Sequence, residues 1–106
     1  MKPLKFHRKV DKELKELDAF TRSQIAELLA LIAMGESLGL PVSRPMPSVA
    51  HGAHELRIGS TSGQYRVFYF VKLKDAVLVF HMFKKKTQKT PPNEIETAQR
   101  RLGEML

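Results

Sequence analysis

The spacing of apolar residues changes along the chain, from a helical period before Leu40 to strict alternation after His54. Val10, Leu14 and Leu17 recur at helical spacing among lysines and glutamates, which predicts a short amphipathic helix over Asp11 to Asp18. Lys5 to Val10, just before it, reads either as a short opening strand or as the lead into that helix. Thr21 then opens a second helix, with its hydroxyl as cap and Gln24 at the capping-box position. Ile25, Leu28, Leu29 and Ile32 follow at i, i+3, i+4 and i+7, and Gly35 or Gly39 ends the run. Pro41, Pro45 and Pro47 make Leu40 to Gly52 neither helix nor central strand, so an irregular crossing loop is expected there.

Beyond His54 the pattern is β. "HELRIGS" alternates, with Leu56 and Ile58 on one face and Glu55 and Arg57 on the other, "TSG" turns, and "QYRVFYFVK" is rich in aromatic and β-branched residues. "KLKD" makes a second turn into "AVLVFHMF", whose nearly continuous apolar character suits a strand covered on both faces. Thr90 is the expected cap of a last helix with Pro91 at its first position and Ile95, Ala98 and Leu102 as its apolar stripe. The prediction is an α+β domain: two N-terminal helices, a three-stranded antiparallel meander and a C-terminal helix.

At 106 residues and 42% apolar content, the chain supports one domain with one core, spanning 1–106. No apolar stretch approaches the roughly 18 residues that cross a bilayer, and "MKPLKFHRKV" lacks the apolar segment of a signal peptide. A cytoplasmic protein without membrane contact is expected, and the absence of cysteine agrees with a reducing compartment. Charge adds direction. The net charge is +7, from eight Lys/Arg against six Asp/Glu in residues 1–53 and ten against five in residues 54–106, so a polyanion belongs on the C-terminal half.

The densest charge is "HMFKKKTQKT", His81 to Thr90, with four lysines and no carboxylate. Such a run can be a solvated turn that guards a sheet edge. Its neighbours suggest more. Arg57 and Arg66 flank the same tight hairpin and can reach one face of the sheet, where Lys84, Lys85 and Lys86 join them if the third strand ends alongside. His81, within that strand, is either a packed core histidine or a site residue. There is no glycine-rich phosphate loop and no acidic cluster for magnesium. His51 and His54, at i, i+3, have no third ligand nearby, so no metal, cofactor or small-molecule ligand is expected.

"HELRIGSTSGQYRVFYF" followed by "HMFKKKTQKTPPNEIETAQRRL" resembles the phage-derived HigB-type branch of the RelE/ParE toxin superfamily. The resemblance covers the C-terminal half in motif and the whole chain in element order. It implies a toxin of a type II toxin-antitoxin pair, an endoribonuclease that cuts mRNA in the ribosomal A site, with ribosome, mRNA and a helix-turn-helix antitoxin as partners. Arg66 matches the arginine of the family's hairpin, Arg57 a basic residue on the preceding strand, and Lys85 or Lys86 the basic residue after the last strand. Where the RelE branch has a tyrosine early in the last helix, this chain has Pro91, Pro92 and Asn93, and His81 is the first substitute to consider.

Chemistry agrees with that reading. Metal-free RNA cleavage needs a base for the 2′-hydroxyl, cations for the phosphorane and a proton for the leaving oxygen. Arginines and lysines can hold the phosphate, and crowded cations lower a lysine's pKa, which makes one of the lysines after the strand a candidate base. Lys84 and Lys89 are then RNA-binding, and Arg57, Arg66, His81, Lys85 and Lys86 the catalytic candidates. Two other readings stay open: a ParE-like gyrase inhibitor without nuclease chemistry, and a basic phage protein that only binds nucleic acid.

Overall fold

Leu4–Phe6 form a strand, β1, and the helix α1 (Arg8–Lys15) follows after one residue. The computed structural model describes residues 1–106, and the remaining elements are α2 (Ala19–Ala33), β2 (Ser43–Pro45), β3 (Ala53–Ser60), β4 (Gly63–Phe70), β5 (Val77–Lys85) and α3 (Pro92–Met105). The α+β class, the two N-terminal helices, the meander and the last helix are as expected. The sheet is larger than the meander, with five strands in the order β1-β5-β4-β3-β2. β1 lies parallel to β5 with Leu4 opposite Val77, which makes the sheet mixed. β2 is a three-residue edge strand inside the stretch expected to be only loop, pairing Ser43 with Leu56 and Pro45 with His54. An edge is where a sheet tolerates proline, because the missing N–H faces away from any partner.

Two caps differ from expectation. α2 is capped by Asp18, whose Oδ2 accepts from the Thr21 backbone N–H at 3.0 Å, and the Thr21 hydroxyl donates to Asp18 Oδ1 at 2.8 Å. A carboxylate at this position satisfies an orphan amide and also favours the positive helix end, so it displaces the hydroxyl from the cap. The bonds from Thr21, reinforced by one from Ser62, hold the Asp18 carboxyl below its ordinary pKa. At the other end Gly35, with φ +96°, takes the left-handed position that terminates helices. α3 is preceded by Pro91 with no side-chain cap, and the Thr90 hydroxyl is engaged elsewhere.

The sheet is packed on both faces. α1 and α2 supply Val10, Ile25, Leu29 and Ile32 against Leu56, Ile58, Val67 and Val79 on one face. Ile25 and Leu29 are almost fully buried, each stabilising by about 2 kcal/mol. On the other face α3 lays Ala98 and Leu102 over Phe68, Phe70, Leu78 and Phe80. α3 is also tied to the N-terminal segment, with Arg101 to Glu13 at 3.2 Å and His7 to Glu104 at 2.6 Å. No helix is long and apolar enough to cross a membrane.

Candidate functional site

Arg57 of β3 and Arg66 of β4 are direct cross-strand partners, so both side chains leave the sheet on the face that carries α3. Like charges placed opposite each other destabilise a sheet. A carboxylate offsets them. Glu55, 1% exposed, brings Oε1 to 3.7 Å from Arg66 Nε and 3.3 Å from Arg44 Nε, the latter arriving from the edge strand β2. Its other oxygen, Oε2, accepts from the Thr90 hydroxyl at 3.2 Å. Glu55 therefore gathers three separate segments: β2, β4 and the loop before α3.

Neither guanidinium Nε completes an aligned hydrogen bond to Glu55, so the pairings rest on charge and leave donors unspent. Arg66 lies at the floor, 5% exposed, with Nη1 donating to the Tyr65 carbonyl at 3.0 Å. Burial, with repulsion from Arg57 and Arg44, depresses its pKa against the pull of Glu55. Arg57 is half-buried and has no carboxylate partner.

The lysines do not converge as a block. β5 continues through Lys85, two residues beyond the apolar run, so alternation applies to Lys84 and Lys85 and sends them to opposite faces. A β-bulge decides which goes where. Phe68 pairs with His81 but Tyr69 pairs with Val79, leaving Phe80 as the extra residue. Without it, His81, Phe83 and Lys85 would continue the face of Val77 and Val79; with it, they turn to the arginine face. Lys85 thus faces Arg66, Arg57 and Arg44. Burial first, and then Arg66, holds its ammonium below the ordinary lysine range. Lys84, opposite Tyr65, leans over Gly63 on the α1/α2 face; Gly63 has φ +139°, and a Cβ there would meet Lys84 Cε at 2.5 Å. Lys86 and Lys89 lie beyond the strand and are exposed.

His81 does not join the cations. It is 3% exposed, packed against Phe68 and Phe83, and its Nε2 is 2.8 Å from Glu94 Oε1 at the start of α3. A carboxylate only accepts, so Nε2 carries the proton, while Nδ1 has no partner. Burial pushes the His81 pKa down, partly opposed by its bond to Glu94. Glu94 opens onto a recess of about 480 Å³ walled by Phe83, Lys86, Thr87, Pro91 and Asn93. A second recess, of about 380 Å³, lies at the other end of the sheet beside Ile32, Tyr69 and Val71. Its Lys2 ammonium is already bound to the Leu73 carbonyl at 2.9 Å, so it offers little to an anion.

The sequence brings Arg57, Arg66 and Lys85 to one face but does not reveal Arg44 or Glu94. Glu55 is legible as a polar-face residue of "HELRIGS" able to pair with the hairpin arginines; its sharing with Arg44 is not, because nothing local shows that Arg44 folds back over it.

The whole architecture has a solved counterpart. A double mutant of the Escherichia coli toxin RelE in the free state superposes with a TM-score of 0.56 at 19% identity, covering 99% of this chain and 98% of that one. The fold is RelE-like, as the resemblance implied. No curated protein matches the chain. The chain belongs to the family described as phage derived protein Gp49-like (DUF891), whose model it matches over residues 12–103.

Proposed function

We propose that this chain is the toxin of a type II toxin-antitoxin pair, of HigB type, and a metal-independent endoribonuclease that cuts mRNA on the ribosome. The observation that carries the reading is the direct opposition of Arg57 and Arg66 with Lys85 beside them, a cluster of cations that the single carboxylate Glu55 balances only in part. Lys85, with its lowered pKa, takes the 2′-hydroxyl proton; the oxygen attacks the adjacent phosphorus; Arg57 and Arg66 hold the phosphorane; the leaving 5′-oxygen takes a proton from water. Lys86 lies past the strand and faces the recess, so Lys85 is the better base. His81 acts through Glu94 and does not touch the RNA.

Primer extension on a reporter mRNA in a translation extract should show cuts that require both the protein and the ribosome. Induction in cells should deplete mRNA with DNA intact, and an adjacent helix-turn-helix antitoxin should relieve the growth defect. DNA breaks with intact mRNA would instead establish gyrase poisoning and end the nuclease reading.

The exposed lysines bind backbone. Removing one cation from a phosphate should flatten the slope of log affinity against log salt by about 0.7 for single-stranded RNA. Lys86→Ala and Lys89→Ala should each show this, and Lys84→Ala, on the opposite face, should show it least. An unchanged slope in the triple variant would reduce the cluster to a solvated turn.

A further inference from the structure

We propose that the recess between Phe83 and Glu94 holds a guanine base of single-stranded RNA, stacked on Phe83 and read by the Glu94 carboxylate. The inference rests on the ribonuclease reading and adds its base preference. A volume of about 480 Å³ falls in the range of ligand sites, and the wall combines one aromatic ring with polar groups and Lys86. Phe83 is half-buried and ends an aromatic layer, stacked on His81 at 5.6 Å and edge-on to Phe68 at 5.9 Å. Bases stack on such a ring regardless of identity, so Phe83 supplies grip without selection.

Selection falls to Glu94. A carboxylate offers only acceptors, two per oxygen, and the bond from His81 occupies one of those on Oε1. The Watson–Crick edge of guanine presents two adjacent donors, N1–H and N2–H, that fit the remaining lone pairs. Adenine and cytosine set a bare ring nitrogen beside their amino group, and uracil flanks its single N–H with carbonyls, so each turns an acceptor toward the carboxylate. His81 is buried between Glu94 and the aromatic layer, so the reading group and the stacking ring are held as one unit.

The recess is also in register with the cations. Phe83 is the cross-strand partner of Arg66, so a base on Phe83 places its own phosphate beside Arg66, Arg57 and Lys85. Lys86, exposed at the mouth, meets the next phosphate along the strand.

Cut-site mapping in the translation extract tests this with wild type, Glu94→Gln and Phe83→Leu. Wild-type cuts should cluster at guanine. In Glu94→Gln, cuts at guanine should fall roughly tenfold relative to cuts elsewhere, the scale of a broken two-point bond to a base. Phe83→Leu should lower all cuts together. The ratio between sites does not depend on how much protein is folded, so a merely structural role for Glu94 would leave it unmoved. An identical map for Glu94→Gln and wild type overturns the base assignment while leaving the nuclease intact. If wild type makes no cuts, the ribonuclease reading fails, and NMR titration with the four nucleoside monophosphates decides the recess alone. A selective shift of the Phe83 ring with guanosine monophosphate, abolished in Glu94→Gln, upholds it; equal or absent shifts overturn it.

Discussion

Arg57→Ala is expected to slow RNA cleavage by on the order of a hundredfold while ribosome association stays near wild type. Arg57 is fixed by an eight-residue strand, stands directly across from Arg66 and has no carboxylate to neutralise it. A cation held by rigid backbone needs no reorganisation when charge builds on the phosphorane, and its loss falls on the transition state more than on binding. Arg57→Lys should recover only part of the rate, because an ammonium lacks the planar two-point grip on phosphate oxygens. Arg66→Ala should slow cleavage as much and also lower the melting temperature, since it strips the buried Glu55 of its nearest interior cation. If Arg57 merely covered the sheet, alanine would lower stability and leave single-turnover cleavage per folded molecule unchanged. Melting and single-turnover rates on the same samples separate the two.

Glu55→Ala should destabilise the fold by about 3 kcal/mol, the scale of a buried pair broken from one side. Arg66 would remain buried without its counter-charge, and the Thr90 hydroxyl would lose its acceptor. Glu55→Gln keeps the shape and removes only the charge. Four cations, Arg44, Arg57, Arg66 and Lys85, would then face one another unopposed, so a smaller stability loss should accompany tighter RNA binding with a steeper salt dependence. Denaturant midpoints and RNA affinities over a salt series check both halves. If affinity did not rise, Glu55 would have no part in the anion site.

The hairpin and its two arginines are legible in the sequence because their signals are local: alternation, a short turn and a fixed residue spacing place Arg57 against Arg66. The helices are legible from period, although Asp18, not Thr21, caps α2 because both donors of that turn find the same carboxylate. What escapes depends on distant partners. β1 is three residues long and has meaning only beside Val77 to Val79; β2 is three residues inside a proline-rich stretch and is held by β3. The placement of the lysines escapes for a different reason. An apolar run such as "AVLVFHMF" hides its own phase, so neither the bulge at Phe80 nor the strand's extension to Lys85 leaves a trace in composition. Thr90 has the pattern of a cap because Thr-Pro often is one; here its hydroxyl serves Glu55 instead.

The parallel pairing of β1 with β5 sets an order of events during folding. Leu4 meets Val77, 73 positions later, so this pairing closes the longest loop of any strand pair in the sheet, whereas β3, β4 and β5 join through short turns. Loop entropy favours the short closures first, which makes the meander the nucleus and β1 a late arrival that seals the free side of β5. Substitutions at Leu4 and Phe6 should therefore quicken unfolding and leave the folding rate nearly untouched, while those at Val67 and Phe68 in the central strand should slow folding itself. The first strand in sequence order is among the last to settle, and the chain's lifetime, more than its birth, is written into β1.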